Sequence, residues 1–247
     1  MKEAAAWRPT KFELRDGRWR GARDVRELGA GSRLISDLVV ALYQRHLPHH
    51  ARGRLLDLGC GKAPLYGCYA PLVDEVICVD WADSGCVDMV CDLSLPLPLA
   101  DARFDTIVFS DVLEHLPDPM AIWREMARVL SPGGRIVLNV PFYYSVHAHP
   151  HDYYRYTRFA LERFAAVNGL QTIHLLPVGG LVEILADLLA KALSKLPLMG
   201  RPLAVCLQAV ALAFVRTRLG ARLADRSAWH FPLGYFMVVE RPAQASL

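Results

Sequence analysis

Short apolar runs that end in a carboxylate recur along this chain, separated by stretches with helical spacing. Arg54-Leu55-Leu56 closes on Asp57, Val76-Ile77-Cys78-Val79 on Asp80, and Val87-Asp88-Met89-Val90-Cys91 on Asp92. Residues 104–110, 135–140, 170–176 and 234–240 are further runs of strand length. Between them, residues 119–130 place Met120, Trp123, Met126, Ala127 and Leu130 at helical intervals and stop at Ser131-Pro132-Gly133-Gly134. Residues 33–47 do the same behind Ser32, and 158–168 behind Thr157, both residue types that cap helices. Strands alternating with helices predict an α/β fold whose parallel sheet binds ligands at the carboxyl ends of its strands. Two later helices are predicted at 181–195 and 203–215. The first is apolar except for a stripe at Glu183, Asp187, Lys191 and Lys195, and the second has Gln208 as its one polar residue. At ~1.5 Å per residue the second falls short of the ~20 apolar residues that a membrane span needs.

The turn after the first carboxylate, Asp57-Leu58-Gly59-Cys60-Gly61-Lys62-Ala63, has glycines where a Cβ would keep backbone away from a ligand. A dinucleotide site wants a third glycine, but that position is Pro64, and the Asp57 carboxylate would repel a pyrophosphate. The same carboxylate suits the ammonium group of an amino-acid-bearing cofactor such as S-adenosylmethionine. Asp80, 23 positions after Asp57, is placed to accept from ribose hydroxyls. Trp81 can lie against an adenine face, and Asp92 can accept from an exocyclic amine. An aspartate at a strand end is otherwise a turn former or cap, a reading that weighs most at Asp92.

Taken in order, Leu56–Gly61, Asp80, Asp92, 104–108 and Asp111-Val112-Leu113-Glu114-His115-Leu116 resemble the class I S-adenosylmethionine-dependent methyltransferases, most closely their broad bacterial small-molecule type. The resemblance implies a Rossmann-like, seven-stranded, mostly parallel sheet with helices on both faces. Its last strand is antiparallel and inserted between its two predecessors, here after a helical insertion. It implies that Asp57, Gly59 and Gly61 surround the methionine part, while Cys60 is counted with this cofactor-binding loop as a filler without chemistry of its own. Asp80 would hold the ribose hydroxyls, Asp92 and Leu93 would meet the adenine edge, and Trp81 and Ser110 are counted with the cofactor-binding residues. Ala63 departs from the pattern, since many members carry a glycine there. Asp111, Glu114 and His115 resemble an acid–x–x–acid–His run that binds a divalent cation in ubiquinone-biosynthesis O-methyltransferases. The Glu-His pair also occurs in relatives without metal, and no metal is expected here.

The acceptor side falls to residues 141–157, which hold His147, His149, His151, Asp152 and five tyrosines. Methyl transfer is a displacement that aligns a nucleophile and, for a hydroxyl, removes a proton. Histidine has the basicity for that step, so at least one of His147, His149 and His151 is expected to act, with Asp152 orienting it and Asp111 touching substrate. The alternating histidines also have the form of a metal cluster. Asp152 and Arg155 can instead form a structural clamp, with Thr157 capping the next helix. Asn139-Val140-Pro141-Phe142 is a faint match to amino-methylating DNA enzymes, but it follows the wrong strand.

Composition narrows the classes. A chain of 247 residues suits one α/β domain with insertions, and 53% hydrophobic content supplies a large core. Net charge of +3 gives no dominant nucleic-acid footprint. Six cysteines without a Cys-x-x-Cys pair read as reduced packing thiols, and the start lacks an apolar leader, so a cytoplasmic location is expected. The expected organisation is an arm at 1–30 of irregular structure, a cofactor-binding core at 31–177, a helical insertion at 178–228 and a terminal strand at 229–247. Residues 178–226 carry seven basic against three acidic side chains, a net +4, and fit a buried insertion, a homodimer contact or a peripheral membrane contact at the inner face. Together these predict a methyltransferase that modifies oxygen on a small molecule, a glycoconjugate sugar or a lipid-linked acceptor. A binding module without turnover is the alternative from a different class.

Overall fold

The apolar runs become the strands of one sheet in the computed structural model, which describes residues 1–243. Its elements are β1 (Phe12–Arg15), β2 (Arg18–Gly21), α1 (Arg33–His50), β3 (Arg54–Leu58), α2 (Tyr66–Tyr69), β4 (Glu75–Asp80), β5 (Met89–Val90) and β6 (Phe104–Ser110). There follow α3 (Pro119–Val129), β7 (Leu130–Pro141), α4 (Arg158–Val167), β8 (Gln171–Val178), α5 (Leu181–Ser194), α6 (Gly200–Val215), α7 (Arg218–Ala228) and β9 (Gly234–Glu240). Seven strands pair in the order β5-β4-β3-β6-β7-β9-β8. β3, β4, β5, β6 and β7 run parallel. Leu55, Leu56, Ile107, Val108, Ile136 and Val137 are wholly buried, as strands covered on both faces require.

β9 runs against its neighbours. Its far end meets the start of β7, where Gly133 N–H donates to Arg241 O at 2.7 Å and Arg135 pairs with Glu240 at 2.7 Å. Its near end meets the end of β8, where Leu233 N–H donates to Val178 O at 2.9 Å. The expected antiparallel last strand between its two predecessors is therefore present. The expected terminal segment runs on to 247, and its residues 244–247 lie outside the described residues.

Two compact units divide the chain. One holds Met1–Arg8, His46–Leu176 and the strand from Phe236 on, and the other holds Pro9–Arg45 and Pro177–Tyr235. The boundaries differ from the four segments expected above: residues 9–45 group with the helical segment. In the first unit, α3 starts where Asp118 accepts from Ala121 N–H at 3.1 Å with Pro119 behind it, and it buries Ile122, Trp123, Met126 and Val129. The helix stop at Ser131–Gly134 is absorbed into β7, where two steps along β6 (Phe104 to Thr106) match five along β7 (Leu130 to Arg135).

In the second unit, residues 12–21 are not the irregular arm expected from their charge but a hairpin. Asp16 and Gly17 turn it with φ of 51° and 70°, the two positive values of a type I′ turn. Asp37 and Gln44 of α1 accept from Gly21 N–H and Trp19 N–H, each at 2.7 Å. α5 and α6 pack together with the turn at Ala30–Ser32, which replaces a simple Ser32 cap. Gln208 closes that junction by accepting from Leu34 N–H at 2.8 Å and donating to Ala30 O at 2.7 Å.

Candidate active site

The turn after β3 is shaped by three left-handed backbones. Gly59 has φ of 77°, and a Cβ there would lie 2.5 Å from Val112 Cγ2. Gly61 has φ of 54° and open space where a Cβ would stand, so backbone can approach a ligand freely. Ala63 takes φ of 48° while wholly buried, which explains in conformational terms why glycine is common at this position. Asp80, at the end of β4, fixes the loop by accepting from Gly61 N–H at 2.7 Å, and its other oxygen accepts from Ala82 N–H at 3.2 Å.

A cavity of about 440 Å³ opens beside this turn, lined by Gly59, Asp80, Trp81, Asp92, Leu93 and Asp111 together with Val112, His115, Ala148 and His151. Seven residues expected from the sequence thus share one wall: Gly59, Asp80, Trp81, Asp92, Leu93, Asp111 and His151. Asp57, Cys60, Gly61, Ser110, His147, His149 and Asp152 do not line it. Asp57 is buried beneath the loop and accepts from the Tyr69 hydroxyl at 2.5 Å, and burial pushes its carboxyl up to about 7. Cys60 packs with Ala63, Cys78 and Val87, and its contact with the Cys78 sulfur and its burial push the thiol far up, away from reactivity. Asp92 spends one oxygen on Ser94 N–H at 2.8 Å and Ser94 Oγ at 2.7 Å, the turn-forming role weighed for it, and these bonds hold its carboxyl below the usual range.

Ser110 does not face the cavity but donates to Asn139 Oδ1 at 2.7 Å, and Asn139 Nδ2 donates to Asp111. Asp111 sits at φ of 53° and donates its N–H to Asn139 O at 3.1 Å, so Asn139 grips it from both sides. From the sequence Asn139 figured only in the faint match to amino-methylating DNA enzymes, although a lone amide amid the apolar residues at the end of β7 was the available signal for this role.

Beyond Asp111 lies a wholly buried carboxylate, Glu114. Its Oε1 is 3.6 Å from His115 Nε2 and 3.7 Å from His147 Nε2, and burial raises its carboxyl. His115 Nδ1 lies 2.6 Å from His151 O, so this nitrogen donates and Nε2 keeps the lone pair. His147 Nδ1 lies 3.3 Å from Asp152 Oδ2, and the contact with Glu114 raises the His147 imidazole. The donor atoms of Glu114, His115 and His147 lie within 4.8 Å of one another, and two imidazoles with a carboxylate suit a borderline divalent cation. His46, His50 and His174 also converge, but Arg135 donates to His50 Nδ1 at 3.0 Å and sets a cation where an ion would bind.

Asp152 and Arg155 form the clamp weighed from the sequence, with two bonds at 2.6 and 2.8 Å that hold the Asp152 carboxyl well below its usual range. Thr157 caps α4 by accepting from Ala160 N–H at 3.3 Å. Tyr153 N–H donates to Glu114 O at 2.9 Å, Tyr154 to Pro117 O at 3.0 Å and Tyr156 to Leu113 O at 3.0 Å, tying the loop to residues 113–117. His151 stands edge-on to Trp81 at 5.3 Å across the cavity wall, whereas His149 is exposed next to a cis peptide bond to Pro150.

Residues 56–138, from the middle of β3 through β7, match the family described as a methyltransferase domain. These residues carry a methyltransferase domain. The chain is 36% identical over 106 residues to a ubiquinone biosynthesis O-methyltransferase of Xanthomonas euvesicatoria, covering 36% of this chain and 43% of that protein. It is 30% identical over 118 residues to a 27-O-demethylrifamycin SV methyltransferase of Amycolatopsis mediterranei, covering 37% and 40%. The chain thus spans less than half the length of these curated relatives. In fold it is similar to a geranyl diphosphate methyltransferase solved with its cofactor, at a TM-score of 0.56 and 17% identity over 89% of this chain and 93% of that one. The residues fit S-adenosylmethionine: the cavity has room for a nucleoside, carboxylates stand on its wall, and the space over Gly61 is clear.

Proposed function

We propose that this methyltransferase transfers a methyl group to an oxygen of a small acceptor, with His115 as general base. S-adenosylmethionine, when bound, supplies an electrophilic methyl group, with Asp80, Asp92 and Leu93 holding its adenosine and the glycine turn its amino-acid part. As the acceptor oxygen gains the methyl group, His115 Nε2 would take up the hydroxyl proton. The observation that carries this reading is the fixed tautomer of His115: Nδ1 is committed to His151 O, and the Glu114 carboxylate lies 3.6 Å from Nε2, where it stabilises the imidazolium. Asn139 holds Asp111 at the cavity wall to orient the acceptor. His151 and Trp81, with Tyr153 beside them, supply an aromatic wall for a planar or sugar-like acceptor. The names of the two relatives, an O-methyltransferase and an enzyme of a 27-O-demethyl substrate, support oxygen as the atom modified.

Calorimetric titration with S-adenosylhomocysteine tests the cofactor half. Asp80→Ala removes both an acid and the anchor of Gly61, so affinity falls by about ten- to a hundredfold. Methyl transfer from labelled S-adenosylmethionine to a set of phenols and sugars tests the rest. His115→Gln slows transfer by about 10²–10⁴-fold with S-adenosylhomocysteine affinity kept, while His149→Gln changes neither. An unchanged rate in His115→Gln transfers the role of base to His151. Tight S-adenosylhomocysteine binding without transfer to any acceptor favours the binding module.

A further inference from the structure

Two helices of the second unit, α5 and α6, bury polar side chains while leaving large apolar ones exposed. On α5 the charged side chains Glu183 and Asp187 are buried, Asp187 wholly so in an ion pair with Lys191, while Leu185, Leu188 and Leu189 are about half exposed. On α6 Gln208, the one polar side chain between Arg201 and Arg216, points inward to Ala30 and Leu34. Its outer face presents Leu203 and Val210, at 45% and 60% exposure, with Phe214 at the rim. A helix face turned to water favours the opposite arrangement, because exposed leucine side chains forfeit the gain of burial and enclosed carboxylates lose their hydration.

Next to this apolar face α7 sets a row of cations. Arg218, Arg222 and Arg226 recur every fourth residue and are all exposed, with Leu219 and Leu223 beside them and Trp229 just after. Lys195, Arg201 and Arg216 add three more exposed cations, and Asp225 is the one exposed acid from 181 to 226. α7 turns by 95° from α6, and among the described residues no single helix is long and apolar enough to cross a membrane. An apolar helix, a basic amphipathic helix at an angle to it and a bordering tryptophan form the pattern of a protein that lies in a bilayer surface without spanning it.

We infer that α5, α6 and α7 dock this chain onto an anionic lipid surface. The apolar rows would enter the acyl boundary while the arginine row of α7 meets headgroup phosphates. Charge selects this occupant over a second copy of the chain, since a twofold contact through the same face would bring two arginine rows together. The inference is independent of which acceptor the cavity takes.

Sedimentation of the whole chain with vesicles tests it. The chain pellets with vesicles of phosphatidylcholine and phosphatidylglycerol, and pelleting falls with added salt. Arg218→Glu, Arg222→Glu and Arg226→Glu combined weaken binding by about a hundredfold or more at an unchanged melting temperature, and Val210→Asp weakens it as well. All four side chains are exposed, so the fold does not depend on them. A chain that stays in the supernatant with the mixed vesicles overturns the inference. So does light scattering that shows a dimer which Val210→Asp separates while vesicle binding is unaffected.

Discussion

The turn after β3 and the loop after β7 reach the same cavity, yet they are held in place by different means. The first is a matter of backbone: positive φ at Gly59, Gly61 and Ala63, and one bond from Gly61 N–H to Asp80. The second is a matter of side chains, with Tyr154 and Tyr156 reaching partners 37 and 43 residues away and Asp152 locked to Arg155. A conformation that only a few residue types adopt leaves a short, readable signature. A set of long-range ties does not, because any of several polar pairs would serve.

Substitutions can separate these two modes. The largest effect is expected at Gly59→Ala, where the new Cβ meets Val112 at 2.5 Å and φ stays at 77°. Strain and crowding together should cost about 2–4 kcal/mol, a drop of roughly 5–15 °C in Tm. Gly61→Ala has the strain without the contact, so its loss should be about 1–2 kcal/mol, and equal losses would mean that crowding is irrelevant. Asp152→Asn, which breaks the clamp, should cost about 1–3 kcal/mol by urea unfolding and leave S-adenosylhomocysteine affinity unchanged. Because Arg155 lowers the Asp152 carboxyl below 3.8, its stabilisation is complete above that value and vanishes only as pH falls through the lowered one. The difference between wild type and variant should therefore be flat from about pH 7 to pH 5.

The smallest effect, read between about pH 6 and pH 7, concerns Asp57. Its carboxyl is raised from 3.8 to about 7, so the folded chain holds a proton that the unfolded chain releases. Stability from this group is complete below about pH 4 and declines as pH rises toward 7, with a change of about 1 kcal/mol between about pH 6 and pH 7. Asp57→Asn should remove that slope, and a slope that persists assigns it to another group.

The same division decides what the sequence revealed. Runs ending in Asp57 and Asp80 announced buried parallel strands because their apolar character is continuous, and Asp118-Pro119 and Thr157 marked helix starts by local chemistry. The hairpin at 12–21 carried the Asp16-Gly17 signal but was hidden by its arginines. In the site, Asp80, Asp92 and Trp81 were legible from their strand ends. Asn139, Tyr69 and the meeting of Glu114 with His147 were not, since each depends on which elements the sheet brings side by side. The polar stripe of α5 was legible as a stripe, but the sequence did not say that its acids, Glu183 and Asp187, are buried.

The place of β9 has a consequence for how the chain is made. β7 and β8 leave the ribosome before the strand that separates them, and 55 residues lie between Val178 and Gly234. At about 5–20 residues per second that interval lasts roughly 3–11 s, with two sheet edges open to other partners. A nascent chain that stops short of Gly234 leaves the two strands with a gap that nothing else in it is shaped to fill, so assembly of the sheet waits on its final insertion.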